Sequence, residues 1–161
     1  MLLYLLFTVS ALAAPAKKAP VRPPAAKPPT GWVAVPAKSG VPCRGKTAGK
    51  EWVVFADLDG NQTPDIARLQ QNLGTHRVRL AVWMNGTESP VILDEKETLQ
   101  AGNFLRLAPP GKRWLPGKKG RLVISKASLS YGACGVNEQV FHWSDDKGKF
   151  ISTAVEPKNG K

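Results

Sequence analysis

The sequence predicts an all-β protein: one small antiparallel β domain, a sandwich or a single-blade-like meander, behind a signal peptide and a Pro/Ala/Lys-rich spacer. Three observations lead there. Short β-branched and aromatic runs recur along the chain, and Gly, Pro, Asn and Asp clusters separate them at short spacing. The length, 161 residues, suits one domain with a modest core and is too short for two ordinary ones.

The chain opens with MLLYLLFTVSALAA, an apolar run ending in the small-residue pattern Ala11-Leu12-Ala13. This reads as a signal peptide over residues 1–13, so the mature protein is expected to be exported to a periplasmic or extracellular compartment. The run is shorter than the roughly 20 apolar residues a membrane span needs. No second long apolar stretch follows, so no integral membrane segment is expected in the mature chain. Residues 14–30 form the linker, and the stretch PAKKAPVRPPAAKPPT holds six Pro, four cations and no acid. That composition favours extended, polyproline-like backbone, a semi-rigid spacer.

The β domain is placed at residues 31–157, with 158–161 as a tail. Trp52–Ala56 is a compact strand, and Arg77–Met84 puts Val78, Leu80, Val82 and Met84 on one face with two-residue periodicity. Further strands are expected at 90–93, 104–107, 122–125, 139–143 and 150–155. Ile66, Leu69 and Leu73 recur at helical spacing, but the strand reading is preferred there too. Asn85-Gly86 and Asp145-Asp146-Lys147-Gly148 read as hairpin turns. Cys43 and Cys134 are the only two cysteines. An even count in an exported chain predicts one disulfide. Closing that 91-residue loop would stabilise the fold by on the order of 4 kcal/mol in the chain-entropy model.

Residues 57–65, DLDGNQTPD, carry the most specific chemistry. Asp57, Asp59, Asn61 and Asp65 occupy positions 1, 3, 5 and 9 of a tight loop, and Thr63 offers a backbone carbonyl at position 7. Calcium takes six to eight oxygens, and alternate residues of a curled loop can aim theirs at one centre. Three carboxylates so close would repel one another without a cation. The segment is not an EF-hand, because position 6 is Gln62 and position 12 is Arg68. An Asx-rich turn without metal is the competing reading.

With its flanks, VVFADLDGNQTPDIARL, this stretch resembles the strand-loop-strand calcium loop of FG-GAP and VCBS-type repeats, D-x-D-G-D/N-G-x-x-D followed by an apolar residue. The likeness covers about 20 residues. The chain also looks like small exported bacterial proteins of little-understood function that carry one such loop and end as VFHWSDDKGKF does here. The resemblance implies Asp57, Asp59, Asn61 and Asp65 as side-chain ligands, Thr63 as a backbone ligand, and a structural Ca2+ held at about 10⁻⁴ to 10⁻³ M. Gln62 departs from the Gly usual in that pattern.

Catalysis is not expected. His76 and His142 are the only histidines, which rules out a three-His zinc site. The Ser and Asp beside His142 suit a turn better than a triad. Glu88, Asp94, Glu95, Glu97 and Glu138 could pair in principle, but nothing in the sequence places two of them in a cleft.

Charge points to binding instead. Lys and Arg total 23 against 12 acids, a net charge of +11. The spacer holds four of those cations, so residues 31–161 still carry 19 against 12. From Leu99 to Asn137 there is no acid, while Arg106, Lys112, Arg113, Lys118, Lys119, Arg121 and Lys126 all fall there. Trp114 sits among them and could anchor a partner. The favoured reading is an exported, non-enzymatic, protein-binding module of inhibitor or immunity type that meets an acidic protein. The alternative is an envelope polyanion- or glycan-binding module using region 106–126. Export and the lack of any recognised module argue against nucleic acid.

Overall fold

Residues 65–72, the stretch with competing strand and helix periodicities, form a strand paired along both edges. The computed structural model describes residues 30–35, 52–85, 87–98, 103–117, 120–133 and 136–156. The expected signal peptide, almost all of the spacer, Cys43, Gly86, Cys134, Lys118, Lys119 and the tail lie outside the described residues.

Eleven strands are described, β1 (Trp32–Ala34), β2 (Val53–Ala56), β3 (Asp65–Asn72), β4 (Val78–Trp83), β5 (Val91–Lys96), β6 (Asn103–Ala108), β7 (Gly111–Trp114), β8 (Arg121–Ile124), β9 (Ser128–Ala133), β10 (Asn137–Ser144) and β11 (Lys149–Val155). Every pairing among them is antiparallel. The first sheet runs β1-β3-β4-β5, with β2 also on β3. The second runs β11-β10-β9-β6, and β7-β8 make a separate hairpin. The fold is all-β, as the sequence predicts.

Alternation explains which residues face the interior. Ala67 and Leu69 of β3, Val78, Leu80 and Val82 of β4, Leu105 of β6, Leu129 and Tyr131 of β9, and Phe141 of β10 share one buried cluster. That cluster joins both sheets, as in a sandwich. Ile66 falls in another cluster with Ala81 and Trp83, on the opposite face of the same sheet. Helical spacing would have put Ile66, Leu69 and Leu73 together. Instead the pleat separates Ile66 from Leu69 and leaves Leu73 exposed. A third cluster, Ile124, Val140 and Val155 with Leu122, seats the β7-β8 hairpin on the outer face of the second sheet.

β1 and β2 occupy successive stretches of the same edge of β3. Trp32 faces Asn72 and Ala34 faces Gln70, after which Val53 faces Arg68 and Ala56 faces Asp65. The Val35 N–H donates to the Leu69 carbonyl at 3.1 Å, and the Leu69 N–H donates to the Trp52 carbonyl at 2.9 Å.

Both expected turns connect strands. The Thr87 N–H reaches the Met84 carbonyl at 2.7 Å around Asn85, and Gly148, at φ 56°, closes the β10–β11 turn with its N–H 3.4 Å from the Asp145 carbonyl. At the β9–β10 turn Gly132 is obligatory, because a Cβ there would lie 2.2 Å from the Asn137 carbonyl oxygen. Among the described residues no helix is long and apolar enough to cross a membrane.

Candidate metal centre

Ala56 pairs with Asp65, so residues 57–64 are the loop of the β2–β3 hairpin. Leu58, fully buried in the inter-sheet core, anchors it from below. Around that anchor, Asp57, Asp59 and Asp65 each place one carboxylate oxygen within 4.8 Å of the others. Three oxygens no farther apart than that can all reach one ion at a Ca–O distance of roughly 2.4 Å.

The loop is wound by its own side chains. Asp57 accepts the Gly60 N–H at 2.6 Å and the Gln62 N–H at 2.9 Å through its two oxygens. Asp59 accepts the Asn61 N–H and the Asn61 amide, both at 3.0 Å. The Asn61 carbonyl oxygen accepts the Thr63 N–H at 2.8 Å, and the Thr63 hydroxyl donates to it as well. These are Asx turns in series. They curl residues 57–63 as the sequence spacing requires, and a carboxylate oxygen that takes one N–H keeps lone-pair capacity for a cation.

Asp65 is fully buried. Its Oδ2 accepts the Leu58 N–H at 2.8 Å and its Oδ1 accepts the Asn85 N–H at 2.9 Å, tying the loop to the β4–β5 turn. Burial pushes its carboxyl above the ordinary value of 3.8. The Asn85 and Leu58 N–H groups oppose that rise, and the Asp59 and Asp57 charges add to it. A divalent ion would reverse the balance by favouring the charged form.

Gln62, where the calcium-loop pattern has Gly, adopts φ 68°, and Gly60 adopts φ 83°. The backbone thus takes the glycine-like conformation despite the side chain, at a cost of about 1 kcal/mol. Gln62→Gly should therefore stabilise the protein by about 0.5–1 kcal/mol in urea unfolding, whereas Gln62→Ala should give no gain.

Two cations of the acid-free interval, Arg106 and Lys126, meet acids from elsewhere in the fold. Arg106 Nη2 lies 2.9 Å from both oxygens of buried Glu138, whose Oε1 also accepts the Ser130 hydroxyl at 2.6 Å. The Arg106 guanidinium lies 4.8 Å from the Phe104 ring centroid. Lys126 Nζ sits 2.6 Å from Asp145 Oδ1. Lys112 and Arg113 lie on β7 and Arg121 on β8, with Lys112 and Arg121 exposed. Arg113 donates to the Lys112 and Pro109 carbonyls at 3.1 and 3.2 Å. Trp114 ends β7 opposite Arg121. Within the described part of the interval, the cations away from these two ion pairs are therefore on the hairpin.

The two histidines are far apart in the topology. His76 is an exposed residue of the β3–β4 turn at φ 59°, while His142 lies on β10 opposite Ile151. Burial lowers the His142 pKa below 6.5, which favours its neutral form. Asp94 pairs with Lys96 at 3.3 Å and Glu95 with Arg77 at 3.2 Å. Sequence reasoning did not single out Leu58, Asn85 or Lys126 as parts of the loop's support. The apolar residue between two aspartates and the lone lysine ahead of β9 were the signals available. No family model, curated protein or solved structure matches this chain.

Proposed function

We propose that this is an exported, non-enzymatic protein in which one calcium-type loop stiffens a small β sandwich that binds an acidic protein partner, in the manner of an inhibitor or immunity factor. The observation that carries the cation reading is the convergence of Asp57, Asp59 and Asp65 oxygens within 4.8 Å on a loop anchored by Leu58. Asn61 and the Thr63 carbonyl complete the oxygen set that the loop spacing implies. The ion's role would be structural: it removes repulsion among three carboxylates and fixes the β2–β3 connection. The reading contains no catalytic step.

Support for the partner class is electrostatic. The chain's net charge is +11, and the β7-β8 hairpin presents Lys112 and Arg121 to solvent. A cationic hairpin on a rigid scaffold favours an acidic surface and speeds encounter with it.

Calcium at 10 mM should raise the melting point relative to a chelator-treated sample. For a dissociation constant of about 10⁻⁴ to 10⁻³ M the stabilisation is about 1.4–2.7 kcal/mol. Differential scanning calorimetry, with terbium luminescence as the direct readout, tests this, and identical melts with no terbium uptake would reject the cation site. Pull-down from envelope extracts with and without calcium tests the partner. Recovery of polyanions and no protein would favour the glycan-binding alternative.

A further inference from the structure

We propose that the face of the first sheet turned away from the second holds a carboxylate-binding site built on Gln70 and Arg79 and walled by Trp32, and that an acidic polypeptide docks there. This rests on the acidic-partner reading above and is independent of the cation loop. Gln70 of β3 and Arg79 of β4 stand directly opposite each other. Pleat alternation turns them away from the inter-sheet cluster that takes Leu69 and Leu80. The Arg79 Nε–H donates to Gln70 Oε1 at 3.0 Å, and the guanidinium carbon lies 3.9 Å from the centroid of the Trp32 ring on β1. Bond and stack together hold amide and guanidinium side by side across three strands.

What the pair lacks is an acceptor. Gln70 is fully buried, yet its Nε2 has no hydrogen-bond partner among the described residues, and neither has Arg79 Nη2, an atom equally shut off from solvent. Trp83, 2% exposed on the same face, leaves its Nε1 unpartnered as well. All three are N–H donors, and one belongs to a charged group. Buried donors without acceptors are costly and few in native folds, so three on one sheet face call for acceptor oxygens carrying negative charge. Glu95, which faces Arg79 in the register, pairs with Arg77 at 3.2 Å instead.

A carboxylate fits this donor set. It is anionic and planar, and its two oxygens can take Gln70 Nε2 and Arg79 Nη2 together. Trp32 covers a face of the guanidinium and leaves its edge, where in-plane bonds form. Arg79 is the partly exposed member of the pair and so the way in. Trp83 lies four residues farther along β4, about 13 Å at roughly 3.3 Å per residue. Between them on this face come Ala81 and, opposite it on β5, the exposed Ile92. An extended polypeptide can offer a carboxylate at one end of that track, apolar contact in the middle and a carbonyl to Trp83.

The test is calorimetric titration of the full chain at low salt with a probe peptide, end-blocked hexaglutamate, and with hexagalacturonate as a glycan of the same charge. Arg79→Lys keeps the charge but removes the planar edge, and should weaken peptide binding about 10-fold or more. Gln70→Met should weaken it about 10-fold. Lys112→Gln, on the hairpin at the opposite side of the sandwich, should change it less than about twofold. Acetate should displace the peptide better than chloride at equal ionic strength, and the peptide should bind tighter than the glycan.

Peptide affinity within about twofold of the unaltered protein in Arg79→Lys overturns the site, and a loss in Lys112→Gln alone would leave the acidic-partner reading standing on the hairpin. Hexagalacturonate bound as tightly as hexaglutamate overturns the polypeptide as occupant. No binding of the peptide by the unaltered protein overturns the acidic-partner reading and this site with it. Arg79→Lys is a conservative change at a partly exposed position and is expected to fold; if neither variant does, the unaltered protein decides. Equal displacement by acetate and chloride then means that the buried donors hold water only, which overturns the proposal.

Discussion

Asp65→Ala is expected to destabilise the protein by about 3 kcal/mol or more and to abolish cation uptake. The side chain is fully buried, and its two oxygens satisfy the Leu58 and Asn85 N–H groups. Deletion strands both donors, each costing about 1–3 kcal/mol where water cannot reach it. That is a large share of the roughly 5–15 kcal/mol available to a small domain. Asp65→Asn keeps one acceptor oxygen and should cost about half as much. Urea unfolding followed by tryptophan fluorescence measures both, and a loss below about 1 kcal/mol for the alanine variant would contradict the assigned bonds.

The same carboxylate sets a pH dependence whose sign is the reverse of a salt-bridged aspartate's. Its folded pKa is raised above 3.8 by burial, so without metal the folded chain keeps a proton that the unfolded chain has already lost. Metal-free stability should fall as pH rises from about 4 to the folded pKa and stay level beyond it. Calcium affinity should rise through the same window, because the ion binds the charged form. Asp65→Asn should flatten the metal-free dependence.

At the Arg106–Glu138 pair the expected result is an asymmetry. Glu138 is buried at 5% side-chain exposure, whereas Arg106 is 45% exposed. Arg106→Ala leaves a buried carboxylate held only by Ser130 and should cost about 3 kcal/mol. Glu138→Ala leaves a guanidinium that water can reach and that still donates to Ser130 Oγ at 3.4 Å, removes the acceptor of the Ser130 O–H, and should cost about 2 kcal/mol. Equal losses in the two single variants on urea unfolding would contradict this asymmetry. A partner-binding assay on Arg106→Ala must therefore be read beside its stability.

Much of the fold was legible because its strands carry β-branched or aromatic residues at alternate positions, as Val78, Leu80 and Val82 do in β4. β9 escaped because Ser128-Leu129-Ser130-Tyr131-Gly132-Ala133 alternates with small residues on one face and only Leu129, Tyr131 and Ala133 on the other, although it lies between β10 and β6. β7 hid in a stretch that reads as Pro- and Gly-rich loop, and β1 has only three residues. In the loop, spacing along the chain brought out Asp57, Asp59 and Asp65, whose carboxylates the structure gathers, since the Asx turns that curl it are local; the Asn61 side chain instead bonds to Thr63 and Asp59. Its supports were not legible: Asn85 and Lys126 reach it across 20 and 67 residues of chain, distances over which sequence pattern carries no contact information. Nor does position along the chain show that Glu138 and Asp145, from beyond the acid-free interval, pair with Arg106 and Lys126.

The split occupancy of the β3 edge bears on how this scaffold could be altered. Val35 and Trp52 both bond to Leu69, so the chain departs from and rejoins the sheet at a single rung. One residue thus clasps both ends of that edge, its carbonyl taking the Val35 N–H and its own N–H reaching the Trp52 carbonyl. A proline at position 69, which has no N–H, would release the Trp52 end and leave the Val35 end its acceptor.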